Sequence, residues 1–594
     1  MTPLGRVSIL DKLVNIPYYW VLGMSAQHLI YTSNEDGAYA IWSIEPTSGK
    51  KKRLTGAPLP FMAGSNVARP LQSSSRIFFA RDMARGAEQS QVFGVDSQRD
   101  DVEESLLSDT PPLRILGLAM ISERQVGFVG ASAADVSLYL AGESGYDKMS
   151  KIGGMPFVSD ANQDYVVGSG ALNRNPKSEE LFIFEIATGR LQVYTPKEGS
   201  INRAPRLNGS KLLFESNHQG KNRLCIYDVL SGELSPVRFS SQEYEVTDPV
   251  EDLFWGWLLS QRVWAVGKRN GEAGLFVDGR SIQTPPGFVW GVTFADSMAY
   301  YSHSTLVSPP RILSTNLHTG ANSLVVENTI PPAIAEKLGR SYFAKFRSKD
   351  NFTIPAYVLE AAEPVGKGAV LYIHGGPTSE VANSWSVLTA CFAILGYHMI
   401  APNFRGSTGY GDEFKLANIG DLGGGDLEDM VSSVRWAIDT GLADRFAVVG
   451  YSYGGYSTLL ALGKHPDLFN CGVAGASIAD WEEQYELSDA AFKNIIDLLF
   501  NYRKELLKER SPITYVQNVR VPLCLFQAQN DTRTPLAPVL RYVQRLPKDV
   551  PFELHVKPDL GHATSTTEDL LNILDPTIGF LEKYFSSDAP ENLS

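Results

Sequence analysis

The sequence predicts two domains of different class: an all-β seven-bladed propeller over residues 1–330, with a short N-terminal extension, and a doubly wound, mostly parallel α/β domain over 331–594. Three observations carry this reading. A chain of 594 residues exceeds the roughly 250 to 300 residues at which a single core stops growing. From about residue 25 to 325, short alternating apolar runs recur between Gly, Asn and Asp turns. After Pro331-Pro332 the rhythm changes to strand then helix.

In the first half the runs are Leu29–Thr32, Arg76–Ala80, Val126–Val129, a unit around Tyr165–Ile186, Lys211–Phe214, Val263–Val266 and Met298–Tyr301. They recur at very roughly 35 to 50 residues, the period of propeller blades. Ile226–Gly232 and Phe184–Gly189 close two units with the same turn chemistry, as hairpins do. Helical periodicity is nearly absent, which argues against an α-solenoid or a Rossmann domain. A β-sandwich, or a pair of them, would give similar short strands and is the alternative. A closed propeller protects its sheet edges and leaves a central channel that can act as a filter.

In the second half Ala369–Ile373, His398–Ala401, Ala447–Val449 and Leu523–Phe526 read as buried strands of a largely parallel sheet. Leu427–Ile438 and Tyr456–Leu462 read as helices between them.

Composition narrows the function classes. With 43% hydrophobic and 20% charged residues the chain is an ordinary globular one. A net charge of -13 opposes a phosphate backbone or an anionic membrane surface, so neither nucleic acid nor membrane is an expected partner. Four cysteines, at 225, 391, 471 and 524, lie in apolar stretches without C-x-x-C spacing and read as buried thiols. No apolar run has signal-peptide or membrane-spanning form. A cytoplasmic location is expected, with no metal or cofactor; homo-oligomer formation is left open.

Gly450-Tyr451-Ser452-Tyr453-Gly454-Gly455 follows a strand and opens a helix, which is the setting of a nucleophile elbow. The second half is therefore expected to be an α/β-hydrolase, which supplies Asp or Glu and then His in that chain order. Asp531 follows the run Leu523–Phe526 through a short segment, and His562 follows the run Phe552–Val556. The expected triad is Ser452, Asp531 and His562. His555 competes, but it lies within a strand. Acyl transfer also needs donors for the oxyanion, and the backbone N–H groups of Tyr453 and of Gly376, in His374-Gly375-Gly376-Pro377, are the candidates. His374 itself reads as a structural residue of that turn rather than a base. Ile478, Trp481, Phe492, Ile495, Ile496 and Leu499 offer either a substrate pocket or simply helix core. Arg533 either pairs with a carboxylate or binds a substrate carbonyl.

His374–Pro377, Asn403–Gly411, Gly450–Tyr456, Asn530–Pro535 and Gly561-His562 together resemble the prolyl oligopeptidase family of serine peptidases, closest to acylaminoacyl peptidases of the archaeal type. The stretches Gly472–Ala491 and Arg85–Gln89 are similar to that group too. The resemblance implies a seven-bladed propeller capping the hydrolase, the triad and oxyanion donors above, and a hydrophobic S1 pocket near Trp481 and Phe492. It also implies a substrate-contacting role for Arg533, with Glu88 facing the site from the propeller. Ile495 is aliphatic where similar proteins carry an aromatic, which leaves the depth of the pocket open. The expected activity is cleavage of short N-acylated peptides to release an N-acyl amino acid, with side esterase activity. A carboxylesterase using the same triad is the nearest alternative, and a dipeptidyl or prolyl oligopeptidase stands further off. A propeller that binds proteins beside an inert hydrolase is disfavoured by the complete triad.

Overall fold

The computed structural model describes residues 3–60, 67–99, 104–237, 255–258, 262–269 and 272–586. Between Tyr19 and Val326 lie seven antiparallel sheets in succession, six of four strands and one of three. The apolar runs singled out from the sequence lie in the strand just outside a blade's innermost segment: His28–Ser33, Arg76–Asp82, Gln125–Ala131, Lys211–Ser216, Val263–Arg269 and Met298–Thr305, while the unit around Tyr165–Ile186 covers that strand, Tyr165–Ala171, and the next, Glu180–Glu185. In the three-stranded sheet Val67 bridges Phe79 on that inner side. These strands are covered on both faces by neighbouring blades, so they read as nearly continuous apolar runs. The outermost strands, such as Lys51–Arg53 and Arg190–Tyr194, stay partly exposed and carry charge, which discourages edge pairing.

Four blades share one hairpin turn between their third and fourth strands. The N–H groups of Gly49, Gly189, Gly232 and Gly320 donate to the carbonyls of Glu45, Glu185, Asp228 and Asn316, at 2.8 to 2.9 Å. These glycines have φ of 72, 67, 72 and 71°, left-handed values that glycine adopts without steric cost. The ring closes where the first blade meets the last. Val21 donates its N–H to Ser302 Oγ at 2.9 Å, and Tyr19, Val21 and Leu29 share a core with Ile312 and Val326.

The second half is built on one eight-stranded sheet. Its order is Leu338–Arg347, Thr353–Ala361, His398–Pro402, Gly368–Ile373, Arg445–Tyr451, Cys471–Gly475, Leu523–Ala528 and Phe552–Lys557. The first three pair antiparallel, and from His398–Pro402 onward all neighbours are parallel. This is the α/β-hydrolase arrangement, with helices Gly425–Asp439 and Tyr453–Lys464 in the expected places. Three strands had no apolar run to announce them. Leu338–Arg347 is a half-exposed strand with several charges, and its partner Thr353–Ala361 carries Pro355 within it. Cys471–Gly475 is made of small residues because the helix above it lies close: a Cβ on Gly472 would stand 2.6 Å from Leu462.

The N-terminal helix Pro3–Val14, grouped with the propeller on sequence grounds, joins the second half instead. Leu10, Leu13 and Val14 share a core with Trp385, Ile394, Leu574 and Ile578. The propeller is thus an insertion between two segments of one catalytic body. All four cysteines are free and buried. No helix among the described residues is long and apolar enough to cross a membrane.

Candidate active site

Ser452 stands between strand Arg445–Tyr451 and helix Tyr453–Lys464, with φ 58° and ψ −120°. Gly450, Gly454 and Gly455 flank the turn because it leaves no room there for a Cβ. On Gly450 one would lie 2.2 Å from the Gly454 carbonyl oxygen, on Gly454 2.0 Å from that of Ile373, and on Gly455 2.4 Å from that of Gly475. The turn is pinned to the next strand by Ser452 N–H donating to Gly475 O at 2.9 Å. The strained conformation is thus held by backbone contacts on three sides.

The three residues separated by as many as 110 positions come together. His562 Nε2 lies 3.0 Å from Ser452 Oγ, and His562 Nδ1 lies 2.8 Å from Asp531 Oδ2. Asp531 is 4% exposed and fully engaged. Its Oδ1 accepts the N–H groups of Arg533 and Thr534, each at 2.9 Å, and its Oδ2 also accepts the Thr534 hydroxyl at 2.6 Å. Burial alone would raise its pKa. The His562 charge and the hydrogen bonds from His562 and Thr534 outweigh burial and hold it below the ordinary aspartate value. A carboxylate kept ionised in this position orients the imidazole and favours its protonated form. Tyr451, which the sequence reading passed over, anchors the loop by donating its hydroxyl to His562 O at 3.0 Å. His555 stacks on Phe526 within its strand, ring centroids 4.9 Å apart, away from Ser452.

The His374–Pro377 turn lies directly over the nucleophile, since a Cβ on Gly375 would stand 3.4 Å from Ser452 Cβ. Gly376 follows at φ 119°, and Tyr453 opens the helix after Ser452, where N–H groups have no intrahelical partner. The Tyr453 hydroxyl donates to buried Asp426. His374 is structural in its setting: it stacks on Phe404 at 4.3 Å, its ring nitrogens meet Gly375 O at 2.7 Å and Ser407 Oγ at 2.9 Å, and burial pulls its pKa down to about 4.

The propeller loop Arg85–Gln89 reaches the loops that carry Asp531 and His562. Arg85 O accepts Asn530 Nδ2–H at 3.0 Å, and a Cβ on Gly86 would lie 2.3 Å from Gly561 N. Glu88 sits between two guanidinium groups. Arg533 Nε donates to both its oxygens, at 3.0 and 2.9 Å, and Arg114 donates to Glu88 as well as to Asp489 at 2.7 Å and Thr532 at 3.0 Å. Burial pushes the Glu88 pKa up, but the two cations more than reverse this and bring it to about 2. Arg114, Asp489 and Thr532 were not singled out from the sequence, because the Arg114–Asp489 and Arg114–Thr532 contacts join residues hundreds of positions apart. A cavity of about 620 Å³ opens here, walled by His562, Arg533, Glu88, Arg114 and Phe157.

The six apolar residues that read as either a substrate pocket or helix core do not share one surface. Ile478, Trp481 and Ile496 belong to the catalytic core, with Trp481 edge-on between Tyr456 and Phe500 at 5.2 Å from each. Phe492 and Leu499 are partly buried against that core, and Phe492 lies beneath the Arg114 guanidinium, 5.9 Å from ring centroid to Cζ. Ile495 points the other way and packs with Ala490, Ala491 and Leu498 against the propeller. Helix Ala490–Leu499 is covered on two opposite faces, so its apolar residues divide between two domains.

Known proteins resemble both halves. The N-terminal domain model of acylamino-acid-releasing enzyme-like proteins matches residues 30–313, and the prolyl oligopeptidase family model matches residues 383–588. Dipeptidyl aminopeptidase BIII of Pseudoxanthomonas mexicana is 32% identical over 257 residues, 39% of this chain and 37% of that protein. Acylamino-acid-releasing enzyme of Rattus norvegicus is 28% identical over 234 residues, 36% of this chain and 31% of that protein. The chain thus spans about a third of the length of these curated relatives. In three dimensions it is similar to a puromycin-hydrolysing peptidase of Mycobacterium tuberculosis, with TM-score 0.80, 17% identity, and 96% of this chain and 95% of that one covered. It is also similar to uncomplexed Pyrococcus horikoshii acylaminoacyl peptidase, with TM-score 0.69, 18% identity and 98% of each chain covered. At these identities the structures speak to the fold.

Proposed function

We propose, from the premise that this chain belongs to the prolyl oligopeptidase family, that it is a serine peptidase cleaving short N-acylated peptides to release an N-acyl amino acid. His562 takes the Ser452 proton as the hydroxyl oxygen attacks the acyl carbon, and the Tyr453 and Gly376 N–H groups hold the resulting oxyanion. The imidazolium, paired with Asp531, then gives its proton to the departing amine. Water attacks the acyl-enzyme by the same route and restores Ser452. Esters would be cleaved by the same steps with an easier leaving group.

One observation favours a blocked N-terminus over a free one. A free ammonium is held best by a carboxylate with lone pairs to spare, and each acid walling the cavity already accepts other donors. Glu88 is held by Arg533 and Arg114. Asp82 accepts the N–H groups of Ala84, Gly86 and Gln89. Asp569 accepts those of Ser565 and Thr566, and Asp559 pairs with Arg85. Arg533 remains 45% exposed, a donor suited to an acyl carbonyl.

The test is a set of matched anilides, acetyl-Phe, acetyl-Leu, acetyl-Ala and free-amine Phe, with a nitrophenyl ester and Ser452→Ala as control. Acetylated apolar members are expected to have the highest kcat/KM, and Ser452→Ala to abolish their turnover. A free-amine substrate that outcompetes its acetylated twin would overturn the assignment, and activity on the ester alone would move it to a carboxylesterase.

A further inference from the structure

Three cavities share walls in a row. The cavity beside His562 meets a second, of about 550 Å³, at Gly117 and Phe157. That second space takes wall residues from the innermost segment of every blade, so it is the propeller's central channel. It meets a third, of about 400 Å³, at Arg69, Leu118 and Ser159. Strand Arg114–Ser122 runs the whole length: Arg114 walls the first cavity, Leu118 the second and Met120 the third. At roughly 3.3 Å per residue, Arg114 to Met120 spans about 20 Å. Phe157, 46% exposed in the middle of the molecule, faces the passage.

At the outer end stand two guanidinium groups. Arg69 lies over the Trp264 ring, 5.8 Å from Cζ to centroid. Arg206 donates to the Ser159 carbonyl, and its Nε is buried without a partner. Among the described residues neither makes an ion pair. Burial, and after it repulsion from Arg206, lowers the Arg69 pKa to about 10, still protonated near neutral pH. Asp160 lies close enough to act favourably on both cations, but its oxygens accept the N–H groups of Leu207 at 2.9 Å and Ala161 at 3.0 Å and it forms no direct ion pair with either arginine among the described residues. A planar fork of donors with spare capacity, in a channel walled by tryptophans, fits a carboxylate.

We propose that Arg69 and Arg206 form a binding station for the free C-terminal carboxylate of a peptide whose acyl end lies at Ser452. This rests on the peptidase reading above and adds a length rule. An extended peptide rises by about 3.3 Å per residue, so the Arg114–Met120 stretch matches about six extended residues; a peptide several residues longer than a dipeptide is needed to carry its carboxylate along the passage to the station.

The experiment compares N-acetylated peptides of two and eight residues, each as C-terminal acid and C-terminal amide. For the octapeptide the acid is expected to be favoured about tenfold in kcat/KM, and less so as salt is raised, since screening weakens charge pairing. For the dipeptide no such preference is expected. Arg69→Gln/Arg206→Gln should bring the octapeptide ratio to about one while acetyl-Phe anilide turnover and the melting temperature hold; single Arg69→Gln should lower it partway. An acid-to-amide ratio near one in the native protein, or one unchanged by either variant, overturns the station. Fluorescence anisotropy of labelled octapeptide acid and amide on Ser452→Ala protein reads the station without catalysis. Acid-selective, arginine-dependent binding there would stand even if hydrolysis of acylated peptides were absent, so the two proposals fail separately.

Discussion

At the scale of single residues, the groups around Ser452 divide by how burial is compensated. Asp531 is buried and supplied with donors, so it stays ionised. Asp426 is equally buried, accepts the Tyr453 hydroxyl on one oxygen, and leaves the other without a partner. Burial pushes its pKa up to about 6, against 3.8 ordinarily. The folded protein therefore holds a proton that the unfolded chain releases, and stability falls as pH rises from about 4 to 6. Asp426→Asn keeps an acceptor for Tyr453 and removes the charge. Its melting temperature should lack that decline, and near pH 7 the variant should be more stable by on the order of 3 kcal/mol at most, taking about 1.4 kcal/mol per pKa unit. Parallel pH dependence of native and variant protein in thermal melts would refute this. The triad was legible because each member follows a recognisable strand in a fixed chain order. Asp426 was not, because nothing local distinguishes it from other acids in the first turn of a helix.

At the scale of elements, the middle strands of the blades were readable because burial on both faces makes them continuously apolar. The glycine turns were readable because few residues take positive φ. Helix Ala490–Leu499 was harder, because apolar spacing of three and four residues reports burial without saying against what. Ile496 is 1% exposed in the catalytic core, whereas Ile495 packs on the propeller. Ile496→Ala should cost about 2–4 kcal/mol in urea unfolding of the catalytic half, from lost transfer energy and the cavity left behind. Ile495→Ala should cost under about half as much there, since its face is only partly buried. Equal losses would mean that the two faces are not energetically distinct.

At the scale of the whole molecule, the propeller contributes directly to the geometry of the catalytic loops. Gly86 and Gly561 touch backbone to backbone, and Glu88 reaches Arg533 across 445 positions of sequence. On the far side of the interface Arg203, 6% exposed, pairs with Asp412 at 2.7 Å, Glu179 at 3.2 Å and Glu215 at 3.4 Å. A methyl group at position 86 cannot fit without moving the loop beside His562, and its φ of 93° is strained for alanine as well. Gly86→Ala is expected to lower kcat by on the order of 10²-fold, the scale set by displacing a catalytic group by about 1 Å. Far-ultraviolet circular dichroism should be unchanged. Unaltered kcat would show that the two loops accommodate the contact without shifting His562.

The sequence alone determined the two classes of domain, the blade count, the order of Ser452, Asp531 and His562, and the glycines that make the nucleophile turn. Each is written in local periodicity or in a steric demand met within a few residues. Only the tertiary structure decided that the N-terminal helix joins the catalytic body, that Ile495 faces the propeller, that Glu88 is held between Arg114 and Arg533, and that Arg69 and Arg206 meet in the central channel. Those outcomes depend on pairs far apart in the chain, and a polar or apolar side chain carries no local mark of which distant partner it will meet.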